Sequence, residues 1–239
     1  MAHKGWKGRG ATCAQLDHET YYREASRGGD IISYDIYPAT EARQPEIYGR
    51  LELVAEGVQS LKRWAGNARQ VWNVIGTTHI YDPDRRPTPA EVRAQVWMSL
   101  VSGSRGIVYF LHKWKPTFRE EAIFRYPEIV REIARLNAEI EGLAPVLNAR
   151  VPALDVSVDA GVRTAAMARQ VGGTIYIFVV ALENKSSRLK VKVPGLAAAV
   201  GVAIGEDRPL LIRDGVIEDE LPAWGVRLFK IVPPPRRGT

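Results

Sequence analysis

The sequence predicts an α/β region with a parallel sheet, followed by an all-β region. The first prediction rests on three short apolar runs that alternate with helical patterns between about residues 30 and 147. Strands and helices that alternate in this way fold with right-handed crossovers into a parallel sheet. The second prediction rests on short strands and turn signals from about residue 151 onward. We therefore expect two domains, residues 1–147 and residues 148–239.

Three near-continuous apolar runs are the predicted strands of the parallel sheet, because strands buried on both faces lack polar alternation. They lie near residues 31–37, 71–77 and 106–112. The spacing of apolar residues predicts helices over residues 46–64 and 127–143. The helix between the second and third strands has the clearest start. Thr88 at the N-cap, Pro89 at the first helical position and Glu91 at the third predict a capping box.

The second region has the patterns of an antiparallel sheet. Gly172 and Gly173 separate two apolar runs and predict a hairpin turn. Between residues 189 and 193 apolar residues alternate with lysines, so we expect one face of that strand to be buried and the other exposed. We expect this region to end near Val232 and to be followed by a disordered Pro-rich tail.

Composition and charge exclude several classes of function. The 239 residues carry a formal net charge of +6, but the basic residues are scattered, so we expect no nucleic-acid-binding patch. The single cysteine, Cys13, and four dispersed histidines predict neither a disulfide framework nor a metal site, and we expect no cofactor. No apolar run approaches the roughly 20 residues of a membrane span. The basic N-terminus lacks the apolar segment of a secretory signal, and the compartment is not predicted.

Two motifs in the first region point to a family. Residues 88–93 read Thr-Pro-Ala-Glu-Val-Arg, and residues 103–110 read Gly-Ser-Arg-Gly-Ile-Val-Tyr-Phe. With these motifs, the segment Val71–Trp114 resembles the last two βα units of TIM-barrel glycoside hydrolases of the retaining clan A type, which includes β-galactosidases and cellulases. Residues 30–38 resemble the strand that precedes these units, and residues 6–9 resemble the segment that leads into it. Residues 136–147 are similar to the helix that links such barrels to a β-sandwich.

The resemblance implies an incomplete barrel. It predicts a partial TIM barrel of about three βα units, followed by an antiparallel sandwich over residues 151–232. In this family two carboxylates flank the glycosidic bond, the acid/base at the end of the fourth strand and the nucleophile at the end of the seventh. If the three strands are the sixth to eighth, the fourth is absent and Gly76 occupies the nucleophile position. The resemblance thus implies a truncated hydrolase without its usual carboxylate pair.

Asp35 is the candidate catalytic carboxylate. It lies near the C-terminal end of the first strand, at the face where barrel active sites lie. The alternative is that Asp35 bonds loop backbone and holds the turn at Tyr37 and Pro38. Asp82 and Asp84, in the loop after the second strand, could also reach a site, although aspartates beside proline are common in turns.

Five residues are candidates for substrate binding, because parallel strands end at the same edge of a sheet. They are Tyr37, Trp72, His79, His112 and Trp114. A neutral His79 could pass a proton or bond a sugar hydroxyl. Trp114 could stack on the apolar C–H face of a pyranose, or it could anchor a loop. Tyr37 and Trp72 could line a site or belong to the core.

Two functions stay open from the sequence. The chain is either a carbohydrate-active enzyme, a truncated glycoside hydrolase that uses other residues, or a non-catalytic remnant that acts in carbohydrate binding or assembly. Three strands leave two sheet edges and an apolar face, so we also expect a homo-oligomer. Residues 1–29 could cover that face instead, through Trp6, Tyr21 and Tyr22.

Overall fold

The computed structural model describes residues 18–234, apart from the side chains of His18 and Asn67. The chain forms two compact units, one up to Ile133 and one from Ala134, with the division inside a helix. The expected lead-in segment at residues 6–9, with Trp6, lies outside the described residues, as do Cys13 and the end of the Pro-rich tail.

The N-terminal unit alternates strands and helices as predicted. Its elements are α1 (His18–Ala25), β1 (Ile31–Asp35), α2 (Leu53–Ala65), β2 (Gln70–Gly76), α3 (Pro89–Val101), β3 (Gly106–Phe110) and the start of α4 (Pro127–Leu147). Short 3-10 turns lie at Ser26–Gly28, Gly66–Ala68 and Ala122–Arg125. The three strands form a parallel sheet in the order β1-β2-β3, which confirms the predicted parallel sheet.

α2 begins later than its apolar spacing predicts. The helix starts at Leu53 instead of Glu46, and most of residues 45–52 lie in turns. Gly49 has a φ of +78°, which a right-handed helix cannot include. The other end matches the prediction, because Gly66 follows the last helical residue with a φ of +64°.

One face of the parallel sheet packs on α2. Tyr34 of β1 is 1% exposed and its hydroxyl donates to the Leu53 carbonyl oxygen at 3.2 Å. Gly57 of α2 makes this approach feasible, because a Cβ at that position would overlap the Tyr34 ring. The same core contains Val58, Leu61, Trp64 and Val71. The small residue in the helix therefore sets how closely α2 lies on the sheet.

α3 has the predicted capping box and a polar contact with β2. Thr88 Oγ1 accepts from the Glu91 N–H at 3.2 Å, and Glu91 Oε2 accepts from the Thr88 N–H at 2.9 Å. Asn73 Nδ2 donates to Ser99 Oγ at 2.7 Å, and Ser99 Oγ donates to the Gln95 carbonyl oxygen at 2.7 Å. Asn73 and Ser99 are buried, and these bonds offset the desolvation of the Asn73 amide nitrogen and the Ser99 hydroxyl, whereas Asn73 Oδ1 has no described partner.

The C-terminal unit is antiparallel. Its strands are β4 (Ser157–Ala160), β5 (Thr164–Val171), β6 (Thr174–Ala181), β7 (Ser187–Lys192), β8 (Ala198–Ala203), β9 (Arg208–Arg213), β10 (Val216–Leu221) and β11 (Val226–Val232). The predicted turn joins β5 to β6, with φ values of +56° at Gly172 and +81° at Gly173. The buried residues of β7 are Leu189 and Val191, as the alternation predicts.

The strands are connected in the order β4-β7-β10-β9-β8-β11-β6-β5, so the expected sandwich of two separate sheets is not shown. The end strands β4 and β5 follow each other in the chain, and beside them the Leu154 N–H donates to the Ala168 carbonyl oxygen at 2.9 Å. The sheet is therefore nearly closed around an aliphatic core. Between β9 and β10 only Val216 and Arg213 pair, so the ladder restrains the angle between these strands weakly.

None of the helices within residues 18–234 combines the length and the apolar character needed to cross a bilayer.

Candidate functional site

The C-terminal ends of β1, β2 and β3 lie at one edge of the parallel sheet, here called the carboxyl edge. In the ladder Asp35 is beside Val74, which is beside Val108, and two residues further along Gly76 is beside Phe110. Paired positions in parallel strands share a face, so these five residues lie on the face opposite the one that packs on α2. We call it the open face, because Asp35 is exposed and Val108 is 40% exposed.

Asp35 is the only acidic residue in β1, β2 and β3. Its side chain is exposed, yet neighbouring protein atoms desolvate the carboxyl enough to raise its pKa. The nearby Tyr37 hydroxyl opposes that shift only in part. A carboxyl with a raised pKa keeps its proton to a higher pH, which suits a general acid or a hydrogen-bond donor.

Tyr37 lies over the end of β2. Its ring centroid is 5.3 Å from that of Phe110. Its hydroxyl is buried, and it has no described partner at good hydrogen-bonding distance and angle. Burial raises the pKa of this hydroxyl, and the Asp35 carboxylate raises it further. The hydroxyl and the Asp35 carboxyl are therefore close enough to influence each other, and together they are candidates for bonding a ligand.

Gly76 is the last residue of β2, at the carboxyl edge. A Cβ at this position would lie 2.7 Å from Tyr37 Cδ1 and 2.9 Å from Ile80 Cδ1. Both separations are shorter than real Cβ contacts, so a larger side chain would displace the tyrosine or the isoleucine. The packing of Tyr37 is thus a direct physical reason for glycine here, and the ring occupies the space that a carboxylate would need.

After β3 the chain forms a short hairpin over residues 113–119, here called the edge hairpin. The N–H of Lys113 and the N–H of Arg119 each donate to the other residue's carbonyl oxygen at 2.9 Å. The hairpin carries Trp114 and Phe118, which are 50% and 49% exposed, with ring centroids 5.4 Å apart. Two half-exposed rings on a braced hairpin form a surface for stacking.

Six rings connect the edge hairpin with the loop after β2, and we call them the aromatic row. In order they are Trp114, Phe118, His112, Phe110, Tyr37 and Tyr81, with successive centroids 5.1–6.3 Å apart. These separations are typical of aromatic pairs. The row brings together three of the predicted binding residues, Tyr37, His112 and Trp114.

The sequence did not single out Phe110, Phe118 or Tyr81 as site residues. One local signal was present, since Trp114 and Phe118 stand two positions either side of Pro116, a spacing that suits the arms of a tight turn. Phe110 and Tyr81 had no local signal, because their contacts with Tyr37 depend on how the strands are ordered in the sheet.

Tyr81, at the end of the row, contacts an arginine that forms an ion pair with a glutamate. Arg43 Cζ lies 3.3 Å from the Tyr81 ring centroid, which is a cation–π contact. The guanidinium also bonds both Glu41 carboxylate oxygens, through Nε at 2.9 Å and Nη2 at 3.1 Å. Glu41 is only 5% exposed, so its carboxylate is occupied by this pair.

The loop after β2 is bonded to the segment after β3. Thr77 Oγ1 donates to the Phe110 carbonyl oxygen at 2.7 Å, and Thr78 Oγ1 donates to that of His112. Both threonines are fully buried. These bonds hold the start of the edge hairpin in place and explain why two threonines follow β2.

His79 lies beside the edge hairpin, where its carbonyl oxygen accepts from the Trp114 N–H at 2.9 Å. Burial lowers the pKa of its imidazole, and the charges of Arg86 and Lys113 lower it further. Backbone oxygens of the following loop oppose the shift without reversing it. The ring is therefore neutral at neutral pH, the form in which a histidine can both accept and donate a hydrogen bond.

The Asp82 carboxylate is bonded within its own loop, to which Asp84 contributes its backbone N–H. Asp82 Oδ1 accepts from the Asp84 N–H at 2.9 Å and the Arg85 N–H at 3.1 Å, and Oδ2 accepts from the Tyr48 hydroxyl at 2.8 Å. Burial alone would raise the pKa of the Asp82 carboxyl, but these bonds and the Arg85 charge outweigh it, and the pKa is lowered. The carboxylate thus orders the loop.

Trp72 and Tyr109 are not brought to the carboxyl edge. Trp72 is on the open face but pairs with Gly106, the first residue of β3, where a Cβ would lie 2.5 Å from Trp72 Cδ2. Tyr109 faces the other side, and burial together with the Glu132 charge raises its pKa to about 12. Trp72 therefore lies apart from the other predicted binding residues.

The histidines at this edge are bonded to backbone. His79 Nδ1 lies 3.3 Å from the Asp82 carbonyl oxygen, and His112 Nδ1 lies 3.0 Å from that of Glu120. Within residues 18–234, no group of three or more His, Cys, Asp or Glu side chains is placed to hold a metal ion.

No protein-family model matches the sequence, and no curated protein matches it. Solved structures do match. The α-amylase from Geobacillus thermoleovorans complexed with acarbose gives a TM-score of 0.52 at 10% identity, over 92% of this chain and 58% of that one. AmyP in complex with maltose gives 0.53 at 9% identity, over 92% and 61%. The α-galactosidase I from Mortierella vinacea gives 0.51 at 13% identity, over 89% and 55%.

At these identities the likeness concerns the fold alone. The chain has a glycoside-hydrolase-like fold, related to the TIM barrel, over most of its length. It spans between 55% and 61% of the lengths of the matched chains. The matched enzymes include an α-amylase and an α-galactosidase. The family that the sequence motifs resemble, with its β-galactosidases and cellulases, is not confirmed.

Proposed function

We propose that this chain is a carbohydrate-active protein of the glycoside hydrolase type that binds a sugar at the carboxyl edge. The observation that carries the proposal is the aromatic row, whose members Trp114 and Phe118 are half exposed on the edge hairpin. The fold likeness to an α-amylase and an α-galactosidase supports the same class of ligand.

The carboxyl edge offers both kinds of contact that a sugar needs. A pyranose has a face of C–H groups and a rim of hydroxyls. The rings of Trp114 and Phe118 present apolar surface to the C–H face. Further along the row the Asp35 carboxyl and the neighbouring Tyr37 hydroxyl can bond sugar hydroxyls. An apolar surface with a few convergent polar groups, at the C-terminal ends of parallel strands, is a usual form of ligand site.

Hydrolysis is the second candidate function, and Asp35 supports it. Its raised pKa suits a group that donates a proton to a leaving oxygen. A retaining mechanism needs a second carboxyl about 5 Å away. Of the buried carboxylates in the loops described above, Glu41 is paired with Arg43 and Asp82 holds its own loop. We therefore expect negligible turnover of ordinary aryl glycosides by this chain.

Binding is tested by titrating the full chain with maltotriose and, separately, with raffinose, which contains an α-galactoside. Trp114→Ala should weaken binding of the preferred sugar about tenfold, or about 1.4 kcal/mol, because it removes the larger exposed ring. Tyr37→Phe keeps the ring but removes the hydroxyl beside Asp35, and a severalfold loss is expected. Calorimetry gives both dissociation constants.

Phe124→Ala is the matched control, since Phe124 is 72% exposed and lies outside the aromatic row. It should bind like the parent. The proposal fails if the parent binds neither these sugars nor a charged oligosaccharide, or if Phe124→Ala and Trp114→Ala weaken binding equally.

Hydrolysis is tested separately with dinitrophenyl glycosides, whose good leaving group needs little help from an acid. The parent and Asp35→Asn are compared at the same concentration. Robust turnover that Asp35→Asn abolishes would establish the second candidate function. Turnover that survives in Asp35→Asn would exclude Asp35 as the reacting carboxyl.

A further inference from the structure

The edge hairpin carries three basic side chains without an acidic partner. Among residues 18–234, no ion pair joins Lys113, Lys115 or Arg119 to a carboxylate. The arginines of the adjoining loops differ, since each has a carboxylate partner: Arg43 with Glu41, Arg85 with Glu91 and Arg86 with Glu128. The hairpin thus holds three basic side chains without a described carboxylate partner within the seven residues 113–119.

Lys113 and Arg119 occupy directly opposite positions in the two-stranded ladder. Side chains at such positions start about 5 Å apart, and like charges placed there destabilise a ladder. The field of Lys113 also reaches His79, whose pKa it lowers together with Arg86. Glu120 and Glu121 follow the hairpin and are exposed, but neither forms an ion pair with these bases. An anion held between Lys113 and Arg119 would relieve the repulsion.

The two faces of the hairpin differ in character. Residues paired across a ladder share a face, and neighbouring residues alternate between faces. Lys113 and Arg119 pair across an isolated bridge and so start from one face, while Phe118 contacts the rings of His112 and Trp114, the two neighbours of Lys113, on the other. Lys115 follows Trp114 at the tip and is exposed. One narrow hairpin thus presents an aromatic face and a cationic face to the same ligand.

We propose that the edge hairpin selects an anionic oligosaccharide. One sugar ring stacks on Trp114 and Phe118, and a carboxylate or sulfate of the same chain is held by Lys113 and Arg119. An oligosaccharide reaches both faces, whereas a monosaccharide reaches one. This assignment rests on the proposed sugar-binding function and adds the charge class of the ligand. The shared chemistry is an anionic group on a sugar, from a uronic acid or from a sulfate ester.

The experiment compares trigalacturonate with its fully methyl-esterified form, which has the same sugar chain without the charges. Both are titrated into the full chain at low salt, and a sulfated oligosaccharide of equal length forms a third arm. The acid should bind at least tenfold more tightly than the ester, and added salt should shrink the difference. The third arm distinguishes a uronic acid from a sulfate ester, because the oligosaccharide with the higher affinity identifies the preferred anionic group.

Lys113→Gln combined with Arg119→Gln should abolish the preference for the acid and leave binding of the ester unchanged. Trp114→Ala should weaken both ligands. The control is Lys185→Gln combined with Lys192→Gln, which removes two charges from the exposed surface of the C-terminal unit and should keep the preference.

Equal affinity for acid and ester would overturn this assignment and leave the sugar-binding proposal standing. A preference that survives in the Lys113→Gln, Arg119→Gln variant would also overturn it. If the chain binds neither form of trigalacturonate and neither maltotriose nor raffinose, both proposals are overturned. A single-stranded oligonucleotide that binds more tightly than the acid, and loses binding in the double variant, would show that the cationic face serves nucleic acid instead.

Discussion

Two glycines of the N-terminal unit are packed against tyrosine rings. Gly57 in α2 leaves room for Tyr34 on the face of the sheet that packs on this helix, and Gly76 in β2 leaves room for Tyr37 on the open face. Neither has a positive φ, so backbone conformation does not require them. Space is the reason in both cases. The Tyr34 hydroxyl donates to the backbone of α2, whereas the Tyr37 hydroxyl lies beside the Asp35 carboxyl at the carboxyl edge.

Gly57→Ala should destabilise the protein by about 3 kcal/mol, because the added methyl overlaps a fully buried ring and forces Tyr34 or α2 to move. Urea unfolding measures the change. Gly142→Ala is the matched control, since Gly142 also lies in a helix and a Cβ there has no neighbour within 4 Å. The control should gain up to about 1 kcal/mol from helix propensity. Equal stabilities for the two variants would contradict this packing account.

His79 should titrate below its ordinary pKa of 6.5. Because the folded state binds this proton less readily than the unfolded chain, the contribution of His79 to stability is complete above pH 6.5 and is lost as the pH falls below it. NMR titration of the ring protons measures the pKa. Lys113→Gln should raise it, since one of the charges that lower it is removed. A His79 pKa at or above 6.5 in the parent would show that burial and the nearby charges do not control the pKa of this imidazole.

At the scale of elements, the start of α3 was predictable and the start of α2 was not. The capping box of α3 needs only two side chains three residues apart, Thr88 and Glu91. α2 has apolar residues at helical spacing from about residue 46, but the chain from there to Leu53 is in turns. The side chain of Leu51 is fully buried without belonging to the helix. In this segment, the helical spacing of the apolar residues therefore indicated that they are buried, but it did not indicate a helix.

Thr88→Ala should cost about 1 kcal/mol, because it leaves the Glu91 N–H without its acceptor. Thr88→Ser keeps the hydroxyl and should stay within a few tenths of a kcal/mol of the parent. Thermal or urea unfolding of the three proteins checks the ranking. A Thr88→Ala variant as stable as Thr88→Ser would show that the Glu91 side chain, through its bond to Arg85, holds this helix start without the cap.

At the scale of the molecule, the open face is an apolar surface that residues 18–234 leave partly exposed. Ile31 and Val108 on it are 46% and 40% exposed, and within residues 18–234 β1 and β3 have no strand on their outer sides. Exposed apolar surface and unpaired strand edges both favour association. The sequence-based prediction of a homo-oligomer therefore stays a prediction, with this face as the expected contact.

The chain should associate with itself as its concentration rises through the micromolar range, and Val108→Glu should suppress this because it places a charge on the open face. Sedimentation velocity measures both proteins. Leu211→Glu is the control, since Leu211 is 74% exposed in the C-terminal unit and its change should leave the association intact. A strict monomer at all concentrations would rule the prediction out, and suppression by Leu211→Glu alone would move the contact to the C-terminal unit.

The sequence by itself determined the features that a few neighbouring residues encode. The capping box at Thr88, the glycine turn at residues 172–173 and the alternation along β7 were correct because each depends on local backbone chemistry. The three parallel strands followed from the order of apolar runs. Asp35, Tyr37, His112 and Trp114 were placed at one edge for the same reason, since parallel strands end together.

Only the tertiary structure decided how those residues meet. The contact of Tyr37 with Gly76 and Phe110 depends on which strands are neighbours and on their register, which also placed Trp72 away from the edge. The closing of eight strands into one sheet depends on β4 and β5 meeting at its ends. The Tyr37 contacts join residues far apart in the chain, and β4 and β5, although consecutive in sequence, are separated by six other strands in the sheet order. The free energy of these contacts comes from packing and hydrogen bonds that form only when the whole sheet is assembled, so no local pattern records them.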